Sequence, residues 1–209
     1  MKTINKPNEM NNIASLNKND NVVIVKKNDT RNIIGSFYFN QWSDVKEIKN
    51  FIKNVEKQIR TSKEYKNYIG HLNNEIGIHT CSVYGNLSDS IEGLTLEYHH
   101  YPFTLYDIVE ICVNKQIINN NNFTSFDIIN EVLQLHQMNK VGLVKLCKTA
   151  HEEVHNNLIY IKLNSIFGKV NEFVNEYISY IPEDMKEKYN ELIDMNNLNF
   201  DESILIAKK

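Results

Sequence analysis

Four of the seven histidines in this 209-residue chain fall in two tight groups. His99 and His100 are adjacent at the end of a β-branched and aromatic run, and His151 and His155 lie four residues apart in a segment of helical pattern. Residues with that helical spacing share one face, so both imidazoles can point at a common position. Neutral imidazoles suit borderline or transition divalent ions, and a third ligand would complete an open site. The spacing therefore predicts a metal site.

The tandem His99-His100 can supply that third ligand. Side chains alternate along a strand, so the two imidazoles point to opposite faces and need not do the same job. One can bind an ion while its neighbour acts as a general base that takes a proton from water.

Two blocks of residues resemble the HNH, or ββα-metal, endonuclease superfamily in its colicin-type and phage-encoded branches. They are Glu97-Tyr98-His99-His100 with Pro102 shortly after, and the segment GLVKLCKTAHEEVH at 142–155. The resemblance implies hydrolysis of DNA phosphodiester bonds with one divalent metal ion, Mg, Mn, Ni or Zn. It also implies a role for each residue: His99, His151 and His155 as metal ligands, His100 as general base and Glu97 as the residue that orients the site.

The chain departs from that family at three points. Gly142 stands where the family usually has an Asn, with Asn139 three residues earlier. The 50 residues between His100 and His151 exceed a compact hairpin, so we expect a helical insertion at 103–138. Flanking C-x-x-C zinc pairs are missing, as they are in the colicin branch.

Two other functions use the same residues. His151-Glu152-x-x-His155 is an H-E-x-x-H motif, in which Glu152 would be the base of a zinc metallopeptidase and Glu172 or Glu176 a third ligand. A non-catalytic DNA- or protein-binding module could also keep the metal site. The short strand-turn-helix context and the tandem His99-His100 favour the nuclease over the peptidase.

Hydrophobic patterning predicts the elements that position these residues in an α+β fold. We expect a hairpin from 21–27 and 33–39, an antiparallel pair from 76–84 and 91–100, and a strand at 142–147. Helices are predicted from Asp44 to about Arg60, from the capping box Thr61–Glu64, from Thr104 to about 113, from Thr124 to about 138, and from Thr149 to His155. Four regions result: a flexible polar tail at 1–20, a strand and helix region with a basic helix at 21–75, an HNH-like core at 76–164 and an acidic helical segment at 165–209.

Charge is divided unequally along the chain. Residues 1–70 carry 13 basic and 7 acidic side chains, a net +6, whereas residues 71–209 carry 10 and 19, a net −9. Five basic residues recur at helical spacing on one face of the first long helix: Lys46, Lys49, Lys53, Lys57 and Arg60. This stripe predicts contact with DNA phosphates, and a merely solvated helix face is the alternative.

Composition excludes several other classes of protein. Hydrophobic residues make up 42% of the chain, no apolar run is long enough for a membrane helix, and the N-terminus lacks the apolar core of a signal peptide. The three cysteines are far apart and form no C-x-x-C pair, so we expect a reducing cytoplasm, that of the host if the chain is phage-encoded. His71, His79 and His136 show no partner pattern and are expected to be structural.

Overall fold

The computed structural model describes residues 45–156 and 158–197, together with the backbone of two short strands, β1 (Ile24–Val25) and β2 (Ser36–Phe37). β1 and β2 pair antiparallel within the predicted hairpin. The predicted tail at 1–20 and the end of the acidic segment lie outside the described residues. The fold is mixed α+β, as predicted, and the described residues are mostly helical.

Two further strands and seven helices follow along the described chain. The strands are β3 (Leu96–His100) and β4 (Leu143–Cys147). The helices are α1 (Val45–Thr61), α2 (Lys63–His71), α3 (Leu105–Ile118), α4 (Ser125–Gln137), α5 (Lys148–His155), α6 (Val170–Tyr177) and α7 (Glu183–Asn197). A π-helical turn, Leu72–Ile76, extends α2, and a 3-10 turn spans Leu163–Ser165.

Local capping residues explain where several helices begin. Thr104 and Thr124 each form a capping box with the Asp three residues later, which confirms the predicted starts of α3 and α4. The hydroxyl of Ser62 caps α2 by accepting a hydrogen bond from the Tyr65 amide at 3.1 Å. The cap of α2 is therefore one residue later than predicted, because Thr61 is still the last residue of α1.

The predicted pairing of 76–84 with 91–100 is wrong. Within 77–95 the structure has turns and bends with one isolated bridge, Thr80 to Ser88, and β3 instead pairs antiparallel with β4. The alternating apolar pattern has a different cause, because Cys81 and Val83 are buried in the core from a loop. Alternation of buried side chains resembles a strand whether or not the backbone is paired.

A buried lysine fastens this loop to the sheet. The ammonium of Lys145, in β4, donates hydrogen bonds of 2.8 Å to Asn73 Oδ1, the Ile78 carbonyl and Asp89 Oδ2. It also lies 5.1 Å from the centre of the Tyr98 ring. These contacts satisfy a side chain that would be costly to bury alone, and they hold the segment after α2 against β4.

Along the chain, helices α3 and α4 come between β3 and β4, in the segment where the sequence predicted helices. They pack with each other and with α1, whose apolar stripe is buried. That stripe consists of Phe51, Ile52, Val55 and Ile59. α5 follows β4 without a linker, so the order of elements around the sheet is β3, two helices, β4 and α5.

Gly142 sits at the point where the chain returns to the sheet. A Cβ there would lie 2.0 Å from the Tyr101 carbonyl oxygen and 2.6 Å from Val170 Cγ2, so a larger residue does not fit. The Tyr101 amide donates to the Gly142 carbonyl at 3.0 Å and extends the β3–β4 ladder by one rung. Close backbone packing thus accounts for glycine at this position.

No helix among the described residues is long and apolar enough to cross a bilayer.

Candidate metal centre

Three imidazoles converge where β3 and α5 meet. One ring nitrogen each from His99, His151 and His155 lie within 4.8 Å of one another. The Nε2 atoms of His151 and His155 are 3.0 Å apart, and the His99 ring centre is 4.9 Å and 4.7 Å from the other two. The structure therefore brings together all three residues predicted as metal ligands.

The two elements are placed by the sheet and by the buried face of α5. His99 lies opposite Val144 in the β3–β4 register, and β4 leads directly into α5. Ala150 and Val154 are buried and hold this short helix against the sheet. The positions next to them, His151 and His155, then face the end of β3.

Burial and the neighbouring imidazoles disfavour the charged forms of His99 and His155. Burial is the main cause that lowers the pKa of His99 to about 4, and His155, His151 and Arg60 lower it further. The pKa of His155 is also lowered, first by burial and then by His151. At neutral pH His99 and His155 are therefore neutral and present lone pairs, the form that binds a metal ion.

A cavity of about 350 Å³ opens beside the three histidines. Glu56, Arg60 and Glu97 are among the residues that line it. The guanidinium of Arg60 donates to Glu56 Oε1 from both Nε, at 3.1 Å, and Nη2, at 2.9 Å. Glu97 borders this space, but its carboxylate is not one of the converging ligand atoms.

His100 points away from the cluster into the protein core. It is 2% exposed, its Nε2 lies 2.9 Å from the Nε2 of His136, and its ring stacks on Tyr65. Burial lowers the pKa of His100 well below its ordinary value, and His136 adds to the effect. The sequence predicted that His99 and His100 face opposite sides of the strand. It did not predict the contact of His100 with His136, because no local pattern links residues 36 positions apart.

The peptidase arrangement predicted as an alternative is not formed. Glu152 is 62% exposed and lies 3.9 Å from Lys148. Glu172 and Glu176, its suggested third ligands, pair with Lys169 and Lys140 respectively. The residue that joins the His151–His155 pair is His99.

The basic stripe of α1 has two parts. Lys46, Lys49, Lys53 and Lys57 are exposed on the side of α1 opposite its buried stripe. Arg60 is also exposed but turns to Glu56 and borders the histidine cavity. We call the four lysines the lysine face.

No curated protein and no solved structure matches the chain. The sequence model of one protein family, described as bacteriophage G278-like virion protein, matches residues 1–208. This match confirms the predicted association with a phage. A virion protein is a part of the particle, which points away from a catalytic endonuclease, so the predicted function as a DNA-cleaving hydrolase is wrong. The catalytic roles implied for His100 and Glu97 lose their basis with it.

The match covers all but the last residue of the sequence, including both histidine groups and the lysine face. The chain belongs to the bacteriophage G278-like virion protein family.

Proposed function

We propose that this virion protein binds one divalent transition-metal ion through His99, His151 and His155, and that the ion is structural. The observation that carries the proposal is the convergence of three ring nitrogens within 4.8 Å. In a tetrahedral site with metal-nitrogen bonds of 2.0–2.1 Å, ligand nitrogens are about 3.3 Å apart. Small side-chain rotations would bring all three nitrogens to that separation.

The donor set selects among metals. Three neutral nitrogens suit Zn²⁺, Ni²⁺ or Cu²⁺, whereas Mg²⁺ prefers oxygen ligands and keeps several waters. Of the ions that the sequence suggested, Zn and Ni therefore fit best and Mg least. The position left by three protein ligands would face the cavity, where water can occupy it.

Such an ion would join parts of the chain that local structure does not hold together. α5 has only eight residues, too few to be stable alone, and its contacts run to β3 and β4. A bond network from His99 to both histidines of α5 would anchor the helix to the end of β3. The ion would thus act as a cross-link in a protein that must persist in an assembled particle.

The lysine face supports a second proposed role, binding of DNA in the particle. Four exposed ammonium groups follow one side of α1 over three turns. Phosphates of a duplex could approach this side of α1, because the apolar stripe that packs against the protein is on the other side. Such contacts would be electrostatic and independent of base sequence.

Isothermal titration of metal-free protein with Zn²⁺, Ni²⁺ and Mg²⁺ tests the metal proposal. We expect one Zn²⁺ or Ni²⁺ per chain and no comparable binding of Mg²⁺. His99→Ala and His155→Ala should each weaken Zn²⁺ binding more than about 100-fold, since even outer-sphere changes cost about 10- to 100-fold.

His71→Ala is the matched control, because His71 lies on the surface of α2 and pairs with Glu75 rather than with another histidine. It should bind Zn²⁺ as the wild type does. Equal affinity in the wild type and in His99→Ala would contradict the proposed site.

A further inference from the structure

Two of the three cysteines meet inside the protein although 66 positions separate them. The amide of Cys147 donates a hydrogen bond to the Sγ atom of Cys81 at 3.5 Å. Both side chains are buried, with 1% and 4% of their surface exposed. Neither thiol belongs to the histidine cluster or to the lysine face.

The backbone on both sides of this contact is held in place. Ser82, next to Cys81, donates its amide to the Lys145 carbonyl at 2.7 Å, and the Lys145 amide donates to Ser82 Oγ at 3.1 Å. Cys147 is the last residue of β4 and the N-cap of α5. The Cys81 thiol therefore lies against the backbone of Cys147 because two fixed segments meet there.

We propose that Cys81 and Cys147 form a disulfide when the protein meets an oxidising thiol-disulfide environment. The oxidant is a small-molecule disulfide such as oxidised glutathione. One protein thiolate attacks a sulfur of glutathione disulfide, which releases one glutathione thiolate and leaves a mixed disulfide. The second protein thiolate then displaces the bound glutathione as a thiolate. Two protein thiols thus become one disulfide, and one glutathione disulfide is reduced to two molecules of glutathione.

A virion protein passes from a reducing environment to an oxidising one, which makes this reaction possible. Such a protein is made in a reducing cytoplasm, where thiols persist, and then leaves the cell in the particle. Burial raises the pKa of Cys147, so attack requires local opening and should be slow. The inner position of the pair also keeps it from linking separate chains.

A bond at this place would constrain the chain strongly. It closes the segment from Cys81 to Cys147, which contains β3, α3, α4 and β4. In the chain-entropy account, so long a loop gives a large restriction of the unfolded chain, and we expect an increase of about 5–15 °C in Tm.

Cys112 provides an internal control. It is fully buried in α3, and no hydrogen bond joins it to Cys81 or Cys147, all three of which the structure describes. Oxidation should therefore consume two of the three thiols of the chain and leave this one.

The test is to dialyse the reduced full-length protein with EDTA against oxidised glutathione and to count thiols after denaturation. We expect one free thiol, a mass lower by two hydrogens and a linked peptide pair containing Cys81 and Cys147. Cys112→Ser should oxidise fully, whereas Cys81→Ser and Cys147→Ser should keep both of their thiols free. Three free thiols, stable glutathione adducts or a bond to Cys112 in the wild type would overturn the proposal, whether or not the variants fold.

Discussion

The imidazoles of His100 and His136 meet in the core with their Nε2 atoms 2.9 Å apart. The Val132 carbonyl, 2.7 Å from His136 Nδ1, can only accept, so Nδ1 carries the proton of neutral His136. His136 Nε2 is then the acceptor, and His100 donates from its own Nε2. β3 therefore presents His99 to His151 and His155 on one face and, through His100, is joined to α4 on the other.

This buried pair makes stability depend on pH in a definite direction. Burial lowers the pKa of His136 from 6.5 to about 4, against a smaller opposing effect of the Val132 carbonyl. The unfolded chain therefore takes up a proton first as pH falls. We expect full stability above pH 6.5 and a loss of up to about 3 kcal/mol in the free energy of unfolding between pH 6.5 and 4.

Urea unfolding of metal-free protein at several pH values measures this loss. His136→Gln removes the titrating group, so its stability should depend less steeply on pH, by about 1.4 kcal/mol per unit in that range. An identical slope in the wild type and the variant would show that His136 titrates normally in the folded protein.

Zinc should stabilise the folded chain through the three histidines. At a free concentration 100 times Kd, an ion that binds only the folded state adds about 2.7 kcal/mol, or about 5–10 °C in Tm for a chain of this size. Calorimetry with and without Zn²⁺ measures the shift. The Tm of His155→Ala should not respond, and a shift of wild-type size in that variant would place the ion elsewhere.

Gly142 should tolerate no side chain. Its Cβ would overlap the Tyr101 carbonyl oxygen, which is fixed in the β3–β4 ladder, so Gly142→Ala should lower the free energy of unfolding by at least about 3 kcal/mol. Gly70→Ala is the control, because no atom lies within 4 Å of its added Cβ and the position is helical. There alanine should be neutral or stabilise by up to about 1 kcal/mol. Equal effects of the two substitutions in chemical denaturation would contradict the packing described at Gly142.

The lysine face predicts salt-dependent DNA binding. Changing Lys49, Lys53 and Lys57 together to Gln keeps helix propensity and removes three charges. If each contacts one phosphate, the slope of log K against log salt should decrease in magnitude by about 2.7 for any duplex sequence. Fluorescence anisotropy at several salt concentrations measures the slope.

The control for that variant removes three lysines elsewhere, Lys148, Lys169 and Lys186, and should leave the slope nearly unchanged. If both triple variants lower the slope equally, DNA has no preference for α1. If neither lowers it, the lysine face is only a solvated surface.

Local signals in the sequence predicted a large part of this structure. The helical hydrophobic pattern that predicted α1, the capping boxes before α3 and α4, and the i, i+4 spacing of His151 and His155 each need only a few neighbouring residues, and each is confirmed. The partner of β3 could not be predicted in the same way. β3 and β4 pair across two intervening helices, and nothing local distinguishes a strand from a loop that buries alternate residues such as Cys81 and Val83.

Function was harder to predict than geometry. The same three histidines that a nuclease would use as ligands converge in a member of a virion protein family. Residue types and spacing predict which atoms can bind an ion, but not whether a bound ion acts on a substrate or holds the fold together. His100 illustrates the difference, because its position next to His99 suggested a base while its imidazole bonds to His136 in the core.

X-ray absorption at the zinc edge, on the protein loaded with one equivalent of Zn²⁺, tests the central claim most directly. We expect a first shell of about three nitrogens at 2.0–2.1 Å with imidazole scattering, and at most one further oxygen. That shell should be lost in the variant with His99, His151 and His155 all changed to Ala. A sulfur shell near 2.3 Å, which would place the ion at cysteine, or an unchanged spectrum in the triple variant would contradict the account.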